Sequence, residues 1–297
     1  LDRASTTAPC LRVHIDRATD PRVVLPPFPR YVSKAGRFPM RRLLMLVTAT
    51  VLFVGTTDTA MAIIGGVEDG NGHPYVGMIV FYDADGVPTH RCSGTLLTSR
   101  LVLTAGHCTD GAAGARVWFD STVSSITSGG QEGIPYTHPD FVLSDFSSPD
   151  VGVVVLTKQI RMSTYGALPP AGVVDELAHV QGPSSDTHTI VGYGLQEVHP
   201  DRTAQLTRYR GTVTISGSEG SFGVGDDFVQ ISSNTTPFWS GGTCFGDSGG
   251  PLLLHDTNTV LAVASFVPSA NCQGSAAHYR VDVDSARQFL AGFIAVP

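Results

Sequence analysis

Between Val76 and Phe266, short runs rich in β-branched and aromatic residues recur, each closed off by Gly, Pro, Asp or Ser. Val76 to Tyr82, Thr95 to Thr104, Val151 to Leu156, Thr189 to Val191, Tyr209 to Ile215 and Leu261 to Phe266 read as strands. Gly, Pro, Asp and Ser clusters punctuate them at short intervals, so the pattern predicts an antiparallel sandwich or barrel, not alternating βα units. No repeat of fixed period is present. Only the end of the chain has helical spacing. There Phe289, Leu290, Phe293 and Ile294 fall on one face and Asp284 stands where an N-cap belongs, so the helix is expected to pack on the core.

Met40-Arg41-Arg42 opens an uncharged stretch from Leu43 to Gly55, too short to span a bilayer, and Ala60-Met61-Ala62 follows. That layout reads as a signal peptide over residues 40–62, cleaved after Ala62. No stop-transfer pattern follows, so no stable membrane anchor is expected, and the mature chain is a secreted, extracellular one beginning at Ile63. Residues 1–39, rich in Arg and Pro and without a period, read as an upstream extension outside the fold.

The formal charge of −7 conceals an asymmetry. Residues 63–297 hold 10 Lys or Arg against 22 Asp or Glu, a net of −12 (10 minus 22). So acidic a surface argues against nucleic acid or anionic membrane as partner. Of the five cysteines, Cys10 lies in the extension, which leaves Cys92, Cys108, Cys244 and Cys272. An even set in a secreted chain implies two disulfides, and four cysteines allow three pairings. There is no CxxC pair, no HExxH and no acidic loop with calcium-ligand spacing, so neither metal nor cofactor is expected.

Ser248 lies in Thr243-Cys244-Phe245-Gly246-Asp247-Ser248-Gly249-Gly250-Pro251. A serine hydroxyl is a poor nucleophile at neutral pH and needs an imidazole to take its proton. His107, in Thr104-Ala105-Gly106-His107-Cys108, is the candidate base. Asp150 immediately precedes the apolar run from Val151 to Leu156, so a strand can hold its carboxylate beside that base. Backbone N–H groups of Gly246 and Ser248 are candidates for an oxyanion hole, with Gly246 permitting a tight turn. Residues 246–250 also satisfy G-x-S-x-G, but the elbow of α/β-hydrolases needs a helix after the serine, and here Pro251 and a strand-like run follow.

Taken together, Ile63-Ile64-Gly65-Gly66, the His107 block, the Asp150 strand, Gly192-Tyr193-Gly194 and the Ser248 block resemble the trypsin and chymotrypsin family over essentially all of residues 63–297. The resemblance implies an all-β fold of two six-stranded antiparallel β-barrels with a C-terminal helix, the first barrel over 63–172 and the second, with the helix, over 173–297. It implies a serine endopeptidase acting through an acyl-enzyme, with His107 as base, Asp150 as its orienter and Ser248 as nucleophile. It implies the pairings Cys92 with Cys108 and Cys244 with Cys272, polypeptide substrates, proteinaceous inhibitors as further partners, no cofactor, and a monomer. It also implies activation by a new amino terminus, with the Ile63 ammonium pairing with Asp247.

By the same resemblance, Gly242 stands at the floor of the specificity pocket, followed by Thr243, where trypsin-like members carry an acid. A cationic side chain buried there would lack a partner. The wall falls to Ser265, Phe266, Val267 and Ala277, and relatives usually keep glycine where Val267 and Ala277 stand. A shortened slot taking small or medium apolar residues is therefore expected. The alternative, a catalytically silent protease-like binding protein, is opposed by the intact set of His107, Asp150 and Ser248.

Overall fold

The computed structural model describes residues 63–178, 187–195, 205–217, 225–232 and 241–297. The expected extension (1–39) and signal peptide (40–62) lie outside them. Among the described residues thirteen strands form: β1 (Val67–Glu68), β2 (Val76–Tyr82), β3 (Pro88–Leu96), β4 (Leu101–Thr104), β5 (Gly114–Trp118), β6 (Gln131–Thr137), β7 (Gly152–Leu156), β8 (Thr187–Gly192), β9 (Tyr209–Gly217), β10 (Phe228–Ser232), β11 (Pro251–Leu253), β12 (Val260–Phe266) and β13 (Ser275–Arg280). Three helices accompany them: α1 (Gly106–Thr109), α2 (Val173–Ala178) and α3 (Asp284–Ala291). Among the described residues no helix is long and apolar enough to cross a membrane.

The strands close two antiparallel barrels. The first runs β2-β3-β4-β7-β6-β5. The second runs β9-β10-β13-β12-β11-β8 and closes through β8 on β9, while the short β1 adds to β9. Closure removes the open edges at which an isolated sheet would pair with other chains. The run from Thr95 to Thr104, expected as one strand, is two: Thr98 Oγ1 accepts the N–H groups of Arg100 and Leu101 at 3.2 and 3.1 Å, turning β3 back into β4. Apolar residues on both arms hid that reversal. β6 and β13 escaped the sequence pattern because Gly133, Pro135 and the small residues of β13 carry little strand preference of their own. Pairing with apolar neighbours imposes their conformation, as where Gly133 lies opposite Leu156.

The terminal helix forms, with two differences from expectation. Val283 is its N-cap and makes no side-chain cap; Asp284 sits in the first turn, where its charge favours the helix dipole. The helix stops at Ala291, so Phe293 and Ile294 follow it, their N–H groups bonded to the Leu290 carbonyl at 2.9 and 3.0 Å. Although it follows the second barrel in sequence, α3 docks on the first. Phe289 stacks against His138 and Phe293 against Tyr136, with ring centroids 5.2 and 5.4 Å apart, and Ser285 Oγ meets His138 Nε2 at 3.2 Å.

One fully buried cation ties these parts together. Arg208 Nε donates to Asp69 Oδ2 at 2.8 Å, Nη2 to the Gly70 carbonyl, and Nη1 to the Val76 carbonyl and the Tyr193 hydroxyl. Burial alone would raise the Asp69 pKa, but hydrogen bonds from His73 and Arg208 outweigh it and hold the carboxyl down to about 2. Removing one partner of a buried pair strands the other charge, at a cost of about 3–5 kcal/mol. Arg208→Met is therefore expected to lower urea stability by about that much, while Arg208→Met with Asp69→Leu should lose clearly less. Equal losses in the two variants would show that the charge pair is not what the site requires.

Candidate active site

Three successive pieces of local structure deliver His107. β4 ends at Thr104, Ala105 stays extended, and the single turn of α1 lifts the imidazole off the first barrel. Gly106 allows the approach to Asp150, since a Cβ there would sit 3.2 Å from Asp150 Oδ1 and 3.1 Å from the Phe141 ring. Asp150, 5 % exposed, accepts the His107 backbone N–H at 2.8 Å and His107 Nδ1 at 2.8 Å. A third donor reaches it from the other barrel, the Ser265 hydroxyl.

These contacts fix protonation. Burial would raise the Asp150 pKa, yet the charge and hydrogen bond of His107, joined by the Ser265 bond, take it below the ordinary carboxyl value. Burial would lower that of His107, but the Asp150 charge and hydrogen bond raise it above the ordinary imidazole value. An ionised carboxylate can only accept, so Nδ1 carries the proton and Nε2 of the neutral ring is left as the acceptor. The ring rests over the Cys92–Cys108 disulfide, with Cys108 Sγ 3.6 Å from Nε2. Cys92, His107 and Cys108 cluster closely, but the disulfide consumes both thiols that a metal would need.

On the second barrel, the loop Cys244–Pro251 presents Ser248. Three consecutive peptide planes shape it. Leu195 N–H holds the Phe245 carbonyl at 2.8 Å and Gly250 N–H holds the Asp247 carbonyl at 2.8 Å. Carbonyl and N–H of a trans peptide point oppositely. The N–H groups of Gly246 and Ser248 therefore turn away from those two anchors, and among the described residues neither donates to a protein acceptor, whereas those of Asp247, Gly249 and Gly250 do. Gly246 adopts φ +97°, a conformation open to glycine.

Asp247 lies beneath this loop, 1 % exposed. It accepts the N–H of Gly194 at 2.8 Å and of Cys244 at 2.9 Å. The Gly192-Tyr193-Gly194 motif now has a cause: a Cβ on either glycine would run into the Asp247 carboxyl. Burial pushes the Asp247 pKa up to about 7, against the two N–H bonds and the charge of Arg91. Ile63 is buried in the core of the second barrel, and Ile64 N–H donates to the Gly242 carbonyl at 3.1 Å.

His107 and Ser248 line one pocket of about 240 Å³, together with Thr243, Cys244, Phe245, Ala264, Ser265, Phe266 and Val267. Gly242 and Ala277 are buried and do not line this pocket; Ala277, in β13, pairs with Phe266 of β12 on one side and Gln230 of β10 on the other. The Cys244–Cys272 disulfide braces the pocket at Cys244. A second pocket of about 210 Å³ opens on the other side of His107, walled by Phe141, Leu143, Phe146, Phe228 and Phe266. Sequence reading missed its first wall, because residues 141–146 show no period and their apolar side chains are assembled only by the turn before Asp150.

Two closed antiparallel barrels with a histidine–carboxylate pair facing a serine loop define a class of hydrolytic scaffold, and comparison with known proteins agrees. The trypsin family model matches residues 63–290, and the chain belongs to the trypsin and chymotrypsin-like family of serine proteases. It is 27 % identical over 256 residues to chymotrypsin-like elastase family member 1 of Felis catus, covering 80 % of this chain and 91 % of that protein. It is 28 % identical over 216 residues to a chymotrypsin of Phaedon cochleariae, covering 67 % and 71 %. Among solved structures, HL collagenase superposes with a TM-score of 0.63 at 21 % identity, over 78 % of this chain and all of that one. A mutant of human heparin binding protein does so with 0.57 at 18 %, over 77 % and 96 %. Both likenesses concern the fold.

Asp247's hold on the loop is testable without turnover. Gly194→Ala drives a methyl into its carboxyl, and such overpacking costs about 1–3 kcal/mol. The variant should unfold earlier and exchange the amide protons of residues 244–250 faster than wild type. Unchanged exchange would show that the loop does not depend on this contact.

Proposed function

We propose that this protein is a secreted serine endopeptidase that hydrolyses peptide bonds through an acyl-enzyme on Ser248. The observation that carries the reading is the pairing of His107 Nδ1 with Asp150 at 2.8 Å while the same imidazole shares a pocket wall with Ser248. His107 takes the Ser248 proton as Oγ attacks the scissile carbonyl, and the carboxylate of Asp150 stabilises the imidazolium that results. The unpaired N–H groups of Gly246 and Ser248 receive the oxyanion. His107 then returns the proton to the leaving amine, and water enters by the reverse route to release the acid.

The pocket supports cleavage after small or medium apolar residues. Among the described residues its lining holds no acid to meet Arg or Lys, and Val267 adds a branched side chain to it where, by the family resemblance, glycine is usual. An extended substrate strand pairs with the backbone at Ser265 and Val267, which does not depend on their side chains.

Activation follows from the start of the fold. Asp247 is buried with a raised pKa in the unprocessed chain, and the ammonium of a free Ile63 supplies the missing cation. Ile63 holds φ +56°, unfavourable for a β-branched residue, whose side chain crowds the preceding carbonyl. Cutting after Ala62 removes that carbonyl. Secretion and activation are then one event.

A diverse peptide mixture incubated with secreted protein and with Ser248→Ala, read by mass spectrometry, tests substrate and nucleophile together. Cuts after Ala, Val or similar residues, absent from the variant, are expected; cuts after Arg or Lys would overturn the pocket reading, and none at all would favour a binding protein. The pH profile tests the base. A histidine with a raised pKa stays protonated to higher pH, so activity should rise with pH through a midpoint above the ordinary imidazole value of 6.5. It should fall again above about pH 8 as the Ile63 amine loses its proton. A profile without an acid limb would exclude His107 as base.

A further inference from the structure

We infer that Ser93 is a positioning residue for the hydrolytic site, its hydroxyl fixing the peptide plane that lies between the two oxyanion donors. Ser93 lies in β3 of the first barrel and is fully buried. Its Oγ accepts the Tyr193 N–H at 3.0 Å and donates to the Gly246 carbonyl at 3.1 Å. A hydroxyl has one proton to give, and these two bonds use it in a consistent direction.

The position of that bond matters. The donors at Gly246 and Ser248 belong to the peptides 245–246 and 247–248, whose carbonyls are held by Leu195 and Gly250. Their mutual orientation is set by the plane between them, 246–247. The N–H of that plane is held by the Cys244 carbonyl at 3.0 Å and its carbonyl by Ser93. With φ +97° at Gly246, the backbone there has the freedom to rotate if that carbonyl is released. Ser93 therefore touches no substrate and acts through Gly246.

The same hydroxyl fastens the Gly192–Gly194 turn, from which Gly194 N–H reaches Asp247 and Leu195 N–H reaches Phe245. Tyr193 is anchored at its other end too, its hydroxyl donating to the Asp120 carbonyl at 2.7 Å and accepting from Arg208. The Ser93 main chain adds a bond of its own, N–H to the Ser248 carbonyl at 2.8 Å. Substituting the side chain leaves this last bond in place, so a variant isolates the hydroxyl.

Ser93→Ala, compared with wild type and Ser248→Ala on one peptide substrate, is the test. Removing a direct oxyanion donor typically costs a hundredfold to a thousandfold in kcat, so loosening one should cost less, about tenfold to a hundredfold. KM should stay within about twofold, and affinity for a peptide boronate, which mimics the tetrahedral state, should weaken by the same factor as kcat while binding of a product peptide is unchanged. Rates are normalised to titrated Ser248, so a purely structural role would lower the thermal midpoint and leave kcat and boronate affinity alone. That result, or a loss confined to KM, overturns the assignment.

Should Ser93→Ala fail to fold, Ser93→Cys keeps most of the volume with a weak donor and is read the same way. Full kcat in that variant overturns the role; a reduced kcat at constant KM supports it. The role rests on the hydrolytic reading of the site: a wild type that turns over no peptide overturns both, whereas an active wild type matched by Ser93→Ala overturns the role alone.

Discussion

A single carboxylate, that of Asp247, sets the terms for the serine loop. A carboxylate taken out of water is tolerated only where donors or cations surround it. Its two N–H bonds come from Gly194 and Cys244, so satisfying the charge also joins the Gly192–Gly194 turn to the loop of Ser248. The cost of misplacing it is what forbids side chains at Gly192 and Gly194 and keeps Gly246 in its left-handed conformation. Burial nonetheless pushes the Asp247 pKa up to about 7, against those two bonds and the charge of Arg91.

The two barrels divide the candidate site between them. His107 and Asp150 belong to the first, Ser248 and Ser265 to the second, and the Ser265 hydroxyl crosses the divide to Asp150. A cleft assembled in this way is only as accurate as the docking of its halves. Several buried ties serve that docking: Arg208, which binds the segment before β2, the β2 region and Tyr193; Ser93, which reaches from β3 into the opposing loops; and α3, which folds the end of the chain onto β6. The strong apolar core common to both barrels supplies the bulk attraction, while these polar contacts choose one register among many.

The candidate site residues were legible in the chain itself. His107, Asp150, Ser248, Gly246 and Asp247 stand in short motifs with distinctive neighbours, and six runs rich in β-branched and aromatic residues declare strands, one of them in fact covering both β3 and β4. β6 and β13 did not, because Gly133, Pro135 and the small residues of β13 carry little strand preference and take their conformation from the partners they pair with. The end of α3 was also misjudged, since apolar spacing continued past Gly292 into residues that pack without being helical.

What tertiary structure alone decided is which distant groups meet. Nothing local to Ser93 marks it, since its two partners lie 100 and 153 residues away. The same holds for Phe146 and Phe266, whose ring centroids come within 5.2 Å, and for Ala277, which pairs with Phe266 of the pocket lining. The candidate reactive groups and most strand-forming segments could be read from the chain because those depend on side-chain chemistry and near neighbours. The cleft, its walls and the orientation of its backbone donors depend on contacts between segments far apart in the chain, which exist only once both barrels have closed and docked.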